Sequence, residues 1–178
     1  MFNQHYCKIL VLATFVFAAS QSVACSRPVA TSTSTSANTT AREGDEKSVE
    51  EDILFYVNKF RRTKGLKPLE ISNVISIEAR DHSKSMATGR RNFGHDGFES
   101  RVDDISKKLG TVRAAAENVA YGNLSAEAVV DGWIKSPGHR KNMLGDFNLI
   151  GIGTARGKGN IVYFTQIFIN KPAATAKK

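Results

Sequence analysis

Three side chains with acid, base or metal-binding chemistry lie in three short strings of the sequence. His95 lies in FGHDG, Glu117 in AAENVAYG and His139 in GWIKSPGHRKNML. A carboxylate beside an imidazole fixes the tautomer of the ring and raises its basicity. Two imidazoles and one carboxylate could also hold a divalent, zinc-like ion while leaving a position open for water. Such a site could hydrolyse amide bonds.

Each of these side chains also has a structural interpretation. His95 lies in a polar loop flanked by glycines, where an exposed histidine is common. Glu117 lies among alanines, where a carboxylate needs a partner against desolvation, and a structural partner would suffice. His139 follows Ser-Pro-Gly at a helix start, where it could cap or pack. Ser136 could act as a nucleophile beside His139, but three-residue spacing shows no activating geometry, so capping of the next turn is favoured.

Helical patterns surround the loop that carries His95. A capping box at Ser48 begins a first helix with apolar residues at helical spacing. A second helix is predicted from about residue 72 to 88, and His82 on its apolar stripe is interpreted as a core or hydrogen-bonded residue. The loop over residues 90–97 then places His95 directly after this helix.

The second half of the chain changes from helical to extended patterns. A third helix is predicted over 100–109, and a fourth begins at Ser125 and is broken at Pro137. Runs of β-branched and aromatic residues at 149–155 and 161–169 predict a β-hairpin, whose second strand is apolar on both faces. The predicted fold is α+β, a three-layer α-β-α sandwich with a small, mostly antiparallel sheet between helices.

Four strings, in order, resemble the bacterial form of the CAP superfamily, the cysteine-rich secretory, antigen 5 and pathogenesis-related-1 proteins, also called the SCP domain. They are FGHDG, AAENVAYG, GWIKSPGHRKNML and the terminal YFTQIF. The combination of S-P-G-H-R-x-N with E-N-[IV]-A is specific, and the resemblance covers about residues 48–170. It implies the CAP fold and a cleft in which His95, Glu117 and His139 converge.

The chain departs from the eukaryotic pattern of this family at two of four His/Glu positions. That pattern has a second glutamate three residues after the tryptophan and a second histidine two residues before T-Q. This chain has Ser136 and Tyr163 there. The resemblance therefore implies a binding cleft of His95, Glu117 and His139. Tyr163 is a further candidate binding residue, and strand parity does not decide whether it faces the cleft or the core. A divalent metal such as zinc on His95, His139 and Glu117 is left open, with no catalytic role assigned.

The beginning of the chain has the form of a signal peptide over residues 1–24. Lys8 precedes an apolar run that is too short to span a bilayer of about 30 Å. Cleavage after Ala24 would leave Cys25 first, which resembles a bacterial lipoprotein site, although Ser22 stands where leucine is usual. Lipidation of Cys25, free secretion and an uncleaved anchor are all open. Because Cys7 lies in the removed segment, no internal disulfide is expected.

Three further segments follow the predicted signal peptide. Residues 25–45 are rich in Ser and Thr and predict a disordered tether. Residues 46–171 form the predicted CAP domain, and residues 172–178 a loose tail. The organisation is therefore one domain held away from a possible membrane anchor.

The net charge of the chain indicates which class of partner it binds. Twenty-five Lys and Arg against 17 Asp and Glu give +8, which draws the protein towards anionic surfaces. The basic residues are scattered and no nucleic-acid motif is visible, so lipid or a cell-wall component is the expected partner rather than nucleic acid. The predicted function is an extracytoplasmic, secreted or lipid-anchored ligand-binding module. The alternative is a hydrolase, metal-dependent or general-base, acting on peptides or peptidoglycan.

Overall fold

Five helices and a four-stranded sheet make up the part of the chain that the computed structural model describes, the backbone of residues 35–173 and the side chains of residues 46–173. The helices are α1 (Thr35–Thr63), α2 (Asn73–Ala87), α3 (Phe98–Leu109), α4 (Ala126–Lys135) and α5 (Pro137–Met143). The strands are β1 (Glu70–Ile71), β2 (Ala114–Gly122), β3 (Leu149–Arg156) and β4 (Val162–Asn170). No helix among these residues is long and apolar enough to cross a membrane.

The sheet has the order β1-β3-β4-β2, so β2 lies at an edge. The short β1 pairs parallel with β3, whereas β4 pairs antiparallel with both β3 and β2. The hairpin of β3 and β4 was predicted, and their joining turn contains Asn160 at φ 61°, a left-handed conformation that asparagine tolerates. The predicted small, mostly antiparallel sheet is confirmed.

Alternate residues of β4 build two separate cores. Ile167 and Ile169 are fully buried against α2 and α3 on one face. Phe164 and Phe168 are fully buried against α1 and α4 on the other face. Because side chains alternate across a strand, a strand covered on both faces is apolar throughout. The predicted three-layer arrangement is therefore confirmed, and Trp133 lies in the second core.

Close contact between α2 and β3 depends on two glycines. A Cβ atom at Gly151 would collide with the backbone of Ile75, and one at Gly153 would collide with the backbone of Ala79 and Arg80. Only a residue without a side chain allows this approach. The position of α2 on the sheet, and hence of the loop that follows it, is set by these contacts.

Buried ionic side chains tie α1 to its neighbours. Glu50 accepts hydrogen bonds from the Arg80 guanidinium at 2.6–3.0 Å and from Thr154 N at 3.1 Å. Arg61 donates to the carbonyls of Met143 at 2.8 Å and Gly145 at 3.0 Å. Arg61 therefore fixes the end of α5 against α1.

Three predictions of secondary structure differ from the structure. The helix predicted from Ser48 begins at Thr35, so residues 35–45 of the predicted tether have helical backbone. Extending a packed helix is easier than nucleating a new one, which explains the difference. The sequence AAENVAYG forms β2, although no strand was predicted there, and Pro137 begins α5 rather than ending helical structure. The whole predicted signal peptide, residues 25–34 of the predicted tether, with Cys25, and residues 174–178 of the tail lie outside the described residues.

Candidate functional site

A buried cluster of His95, Glu117 and Arg101 forms the centre of the site. His95 Nδ1 lies 2.9 Å from Glu117 Oε1. Arg101 donates to the same carboxylate from Nε at 3.0 Å and from Nη2 at 2.7 Å and 2.9 Å. The Glu117 side chain is 1% exposed, whereas that of His95 is 13% exposed. The predicted contact between His95 and Glu117 is therefore present, and the imidazole is the member that reaches solvent.

Three elements bring these groups together. Glu117 pairs across β2 and β4 with Ile167, which places its side chain on the sheet face covered by α2 and α3. Arg101 lies on α3, one turn beyond the Gly97 N-cap, which has φ 77°. A Cβ atom at Gly97 would lie 2.9 Å from Arg91 Nη1, so glycine suits both the backbone conformation and the space.

His82 supports the loop that carries His95. Its Nε2 lies 2.9 Å from the Gly94 carbonyl oxygen, and the side chain is fully buried. Burial is the main cause that lowers the pKa of His82, so the ring is neutral and donates its Nε2 hydrogen to Gly94. Its Nδ1 has no hydrogen-bond partner among the described residues. The 3.9 Å approach of Nε2 to Glu117 Oε1 is thus not an ion pair of charged groups. The interpretation of His82 as a hydrogen-bonded core residue is confirmed.

His139 approaches from the opposite side of β2. Asn118 faces away from Glu117 and donates to the His139 carbonyl oxygen at 3.2 Å. Asn142, one turn further along α5, donates to the Glu117 carbonyl oxygen at 3.2 Å and to Asn118 Oδ1 at 2.9 Å. These bonds hold α5 against the outer edge of β2. His139 is therefore anchored next to the Glu117 backbone rather than bonded to its carboxylate.

The imidazoles of His95 and His139 lie close enough to interact electrostatically. Burial lowers the pKa of His139, and the nearby His95 lowers it further. The half-buried His139 ring is therefore neutral near pH 7. The structure brings His95 and Glu117 into direct contact and places His139 beside them across the strand edge. The site is thus built at the edge of the sheet from both of its faces.

The arrangement determines the tautomer of His95. Because Arg101 stabilises the ionised form of Glu117, the carboxylate can only accept hydrogen bonds. His95 Nδ1 must therefore carry the hydrogen that is shared with Glu117 Oε1. In the neutral ring, Nε2 then has a free lone pair. The site offers a hydrogen-bond acceptor at its solvent-facing end.

The predicted metal ligands do not fit a zinc-like ion as they are arranged. Both Glu117 oxygens are already bound, and the positive Arg101 guanidinium lies 2.7 Å from one of them. A cation added at the carboxylate would be repelled by Arg101. Among the described side chains, no group of three or more His, Cys, Asp or Glu is placed to hold a metal ion.

Tyr163 lies on the same sheet face as Glu117 but further along the strands. It pairs with Tyr121 of β2, and the two rings stack with centroids 5.7 Å apart at 20°. The pair Val119 and Thr165 lies between Tyr163 and Glu117 along the strands, so a binding role of Tyr163 stays a prediction. Gln166 lies on the opposite face of β4 and accepts a hydrogen bond from Asn118 at 3.3 Å.

Two polar residues of the site, Arg101 and Asn118, were not predicted from the sequence, because no motif or spacing marks them individually. Arg101 was only part of a predicted helix, and Asn118 only part of a motif. The need of a buried Glu117 for a partner was the signal for Arg101, but spacing alone does not select one arginine. Ser136 occupies the N-cap position of α5, but its hydroxyl makes no cap bond and has no partner among the described residues, so the predicted side-chain capping is not found.

A separate concavity lies away from this chemistry. A cavity of about 680 Å³ lies between α1, α2 and the end of β3, beside the Glu50–Arg80 ion pair. His95, Glu117 and His139 do not line it. The buried carboxylate in the wall of this cavity, Glu50, already accepts hydrogen bonds from Arg80 and Thr154.

Comparisons with known proteins agree with the fold and the motifs. The family model described as "CAP: Cysteine-rich secretory protein family" matches residues 54–168. "Uncharacterized protein YkwD" of Bacillus subtilis (strain 168) is 36% identical over 160 residues, which cover 86% of this chain and 59% of that protein.

Two solved bacterial structures are similar. An extracellular protein containing a SCP domain from Bacillus anthracis str. Ames has a TM-score of 0.60 and 29% identity, covering 71% of this chain and 41% of that one. A cysteine-rich secretory protein (SAV1118) from Staphylococcus aureus subsp. aureus Mu50 has a TM-score of 0.59 and 25% identity, covering 71% and 39%. The chain thus spans about three-fifths of the curated relative and about two-fifths of these solved chains. With the fold, the motifs and the family match in agreement, the chain belongs to the cysteine-rich secretory protein (CAP) family.

Proposed function

We propose that the chain is a ligand-binding module of the cell envelope that holds a lipid or cell-wall component at His95 and His139. The observation that carries this proposal is the full commitment of Glu117 to Arg101 and His95. The Glu117 carboxylate therefore has a structural role, and the polar groups left to bind a ligand are the imidazole nitrogens of His95 and His139. Binding sites commonly combine a few such fixed polar groups with apolar surroundings.

The hydrogen bonds of the imidazoles favour binding over nucleophilic catalysis. Neither ring is bonded to a hydroxyl or thiol among the described residues, and the Ser136 hydroxyl has no partner. An activated nucleophile needs a base within hydrogen-bond reach. The site therefore has the features of a fixed binding surface rather than those of a nucleophile and base pair.

The test is a titration of the purified chain with soluble cell-wall fragments and with anionic lipid vesicles. We expect saturable binding to at least one, weakened about tenfold by His95→Ala because the hydrogen bond between the imidazole and the ligand is lost. His139→Ala should weaken the same binding. Asp52→Ala, on the exposed side of α1, is the matched control and should bind as the unaltered chain does. Absence of saturable binding to both probes would contradict the proposal.

One observation favours a second function, a general-base hydrolase acting on peptides or peptidoglycan. His95 is oriented by a carboxylate and has a free Nε2, which is the arrangement of a base that accepts a proton from water. Turnover of wall peptides that is lost in His95→Gln, with an unchanged unfolding midpoint, would favour this function. Binding without turnover would favour the module proposed first.

An extracytoplasmic location is part of the proposal. It is supported by the similarity to an extracellular SCP-domain protein and by the signal-peptide pattern of the sequence. Attachment through an acylated Cys25 is the finer proposal for the anchor. Mass spectrometry of membrane-extracted protein tests it, because an unmodified Cys25 at the mature N-terminus would contradict it.

A further inference from the structure

Three aromatic rings form a continuous surface next to the histidine site. Phe93 and Tyr121 meet edge to face, with centroids 4.8 Å apart at 65°. Tyr121 then stacks on Tyr163 at 5.7 Å and 20°. We call Phe93, Tyr121 and Tyr163 the aromatic shelf. Tyr121 packs against both other rings and is still 52% exposed.

The shelf is connected to the site through the loop that carries His95, whereas along the strand the buried Val119 lies between Glu117 and Tyr121. Glu117 and Tyr121 are four positions apart on β2, and because every second side chain of a strand points to the same side, they share one sheet face. Four residues of strand separate them by about 13 Å. Phe93 lies two residues before His95 in the same loop and so connects the two ends. The resulting surface is longer than a single six-membered ring and has a polar end and an aromatic end.

The polar end and the aromatic end of this surface together indicate which class of ligand it can bind. The polar end offers the His95 Nε2 lone pair and a neutral His139, so it suits a neutral hydrogen-bond donor such as a hydroxyl or an amide N–H. The aromatic end offers a partly exposed tyrosine face, which packs against flat C–H surfaces while its hydroxyl stays in water. Sugar rings carry both features, a flat C–H face and hydroxyls around the edge.

From this juxtaposition we propose that the aromatic shelf and His95 together form a glycan-binding surface, with a sugar ring stacked on Tyr121 and a neighbouring sugar hydrogen-bonded to His95. The inference rests on the proposed binding function and names its ligand class, the glycan part of the cell wall. An acyl chain would instead need an enclosed apolar channel, and the half-exposed Tyr121 ring lines an open surface. A lipid ligand is therefore an outcome of the test rather than a second proposal.

The experiment titrates the purified chain with uncharged N-acetylglucosamine oligomers and follows binding by calorimetry. We expect saturable binding that is weakened about threefold to tenfold by Tyr121→Ala and retained by Tyr121→Phe, because stacking needs the ring and not the hydroxyl. His95→Ala should weaken binding independently. Phe55→Ala, which removes a ring of similar exposure (55%) on α1, is the matched control and should leave binding unchanged.

Failure of this inference can be told from failure of the binding function. If oligomers do not bind while lipid vesicles or wall peptides bind in a His95-dependent manner, the glycan surface is overturned and the module remains. If oligomers bind but Tyr121→Ala binds as tightly as the unaltered chain, the shelf is overturned. If none of the probes binds, both proposals fall together. A folding check by circular dichroism on each variant excludes loss of structure as the cause.

Discussion

Arg101 on α3 donates hydrogen bonds to both carboxylate oxygens of Glu117 on β2, with the shortest contact at 2.7 Å. The side chain of Arg101 is 9% exposed and that of Glu117 is 1% exposed. The pair joins a helix to the edge strand and holds the carboxylate that orients His95. This contact explains why one residue pair can be important for both the stability and the geometry of the site.

The first prediction concerns this pair. Arg101→Met or Glu117→Leu leaves a buried charge without its partner and should lower the free energy of unfolding by about 3–5 kcal/mol. The double variant should lose clearly less than the sum of the two, because both charges are gone. Chemical denaturation of the three variants measures this. Strictly additive losses would show that the two side chains do not interact.

The second prediction is a loss of stability at mildly acidic pH. Burial lowers the pKa values of His82 and His139 from the ordinary 6.5, so their folded-state values lie below their unfolded values. The unfolded chain therefore binds more protons as pH falls, and the associated stability is present above about pH 6.5 and lost towards the folded pKa. Denaturant midpoints at pH 8 and pH 5 test this.

A variant separates the two histidines in that experiment. His82→Gln should flatten the fall in stability below pH 6.5 while lowering stability at pH 8, since the Gly94 carbonyl loses a well-placed donor. His139→Gln should flatten the pH dependence with a smaller loss at pH 8, because its ring makes no hydrogen bond to the described residues. An unchanged pH dependence in both variants would contradict the assignment.

The third prediction concerns the contact between α2 and the sheet. Gly153→Ala would drive a Cβ atom into the backbone of Ala79 and Arg80 and should destabilise the fold by at least about 1–3 kcal/mol. Gly132→Ala, in α4 with open space around the new methyl group, is the matched control. It should be neutral or stabilising by about 0.4–1 kcal/mol. Equal effects of the two substitutions on thermal unfolding would contradict the close approach.

The fourth prediction concerns the support of α5. Arg61→Lys loses the paired hydrogen bonds to the Met143 and Gly145 carbonyls and should cost about 1.5–3 kcal/mol of unfolding free energy. The neighbouring Arg62 is exposed, so Arg62→Lys should have an effect within about 0.5 kcal/mol. Hydrogen exchange should increase in α5 in the first variant only. Similar protection of α5 in both would show that Arg61 does not hold it.

Sequence reasoning determined the elements whose signal is local. Helical spacing predicted α2 and α4, and β-branched runs predicted β3 and β4. The order of motifs carried the resemblance to the CAP family and selected His95, Glu117 and His139 for the site. Strand β2 was not predicted because it consists mainly of alanines and polar residues. An edge strand can form with few β-branched residues, so the usual composition signal of a strand is weak there.

Tertiary structure decided how the site residues relate to one another. Periodicity could not choose Arg101 as the partner of Glu117, because that pairing crosses from α3 to β2. It could not show that His139 approaches from the other side of the sheet edge, nor that Tyr121 stacks on Tyr163. Such contacts depend on strand order and register, which are determined by the packing of the whole sheet between its helices rather than by any one segment.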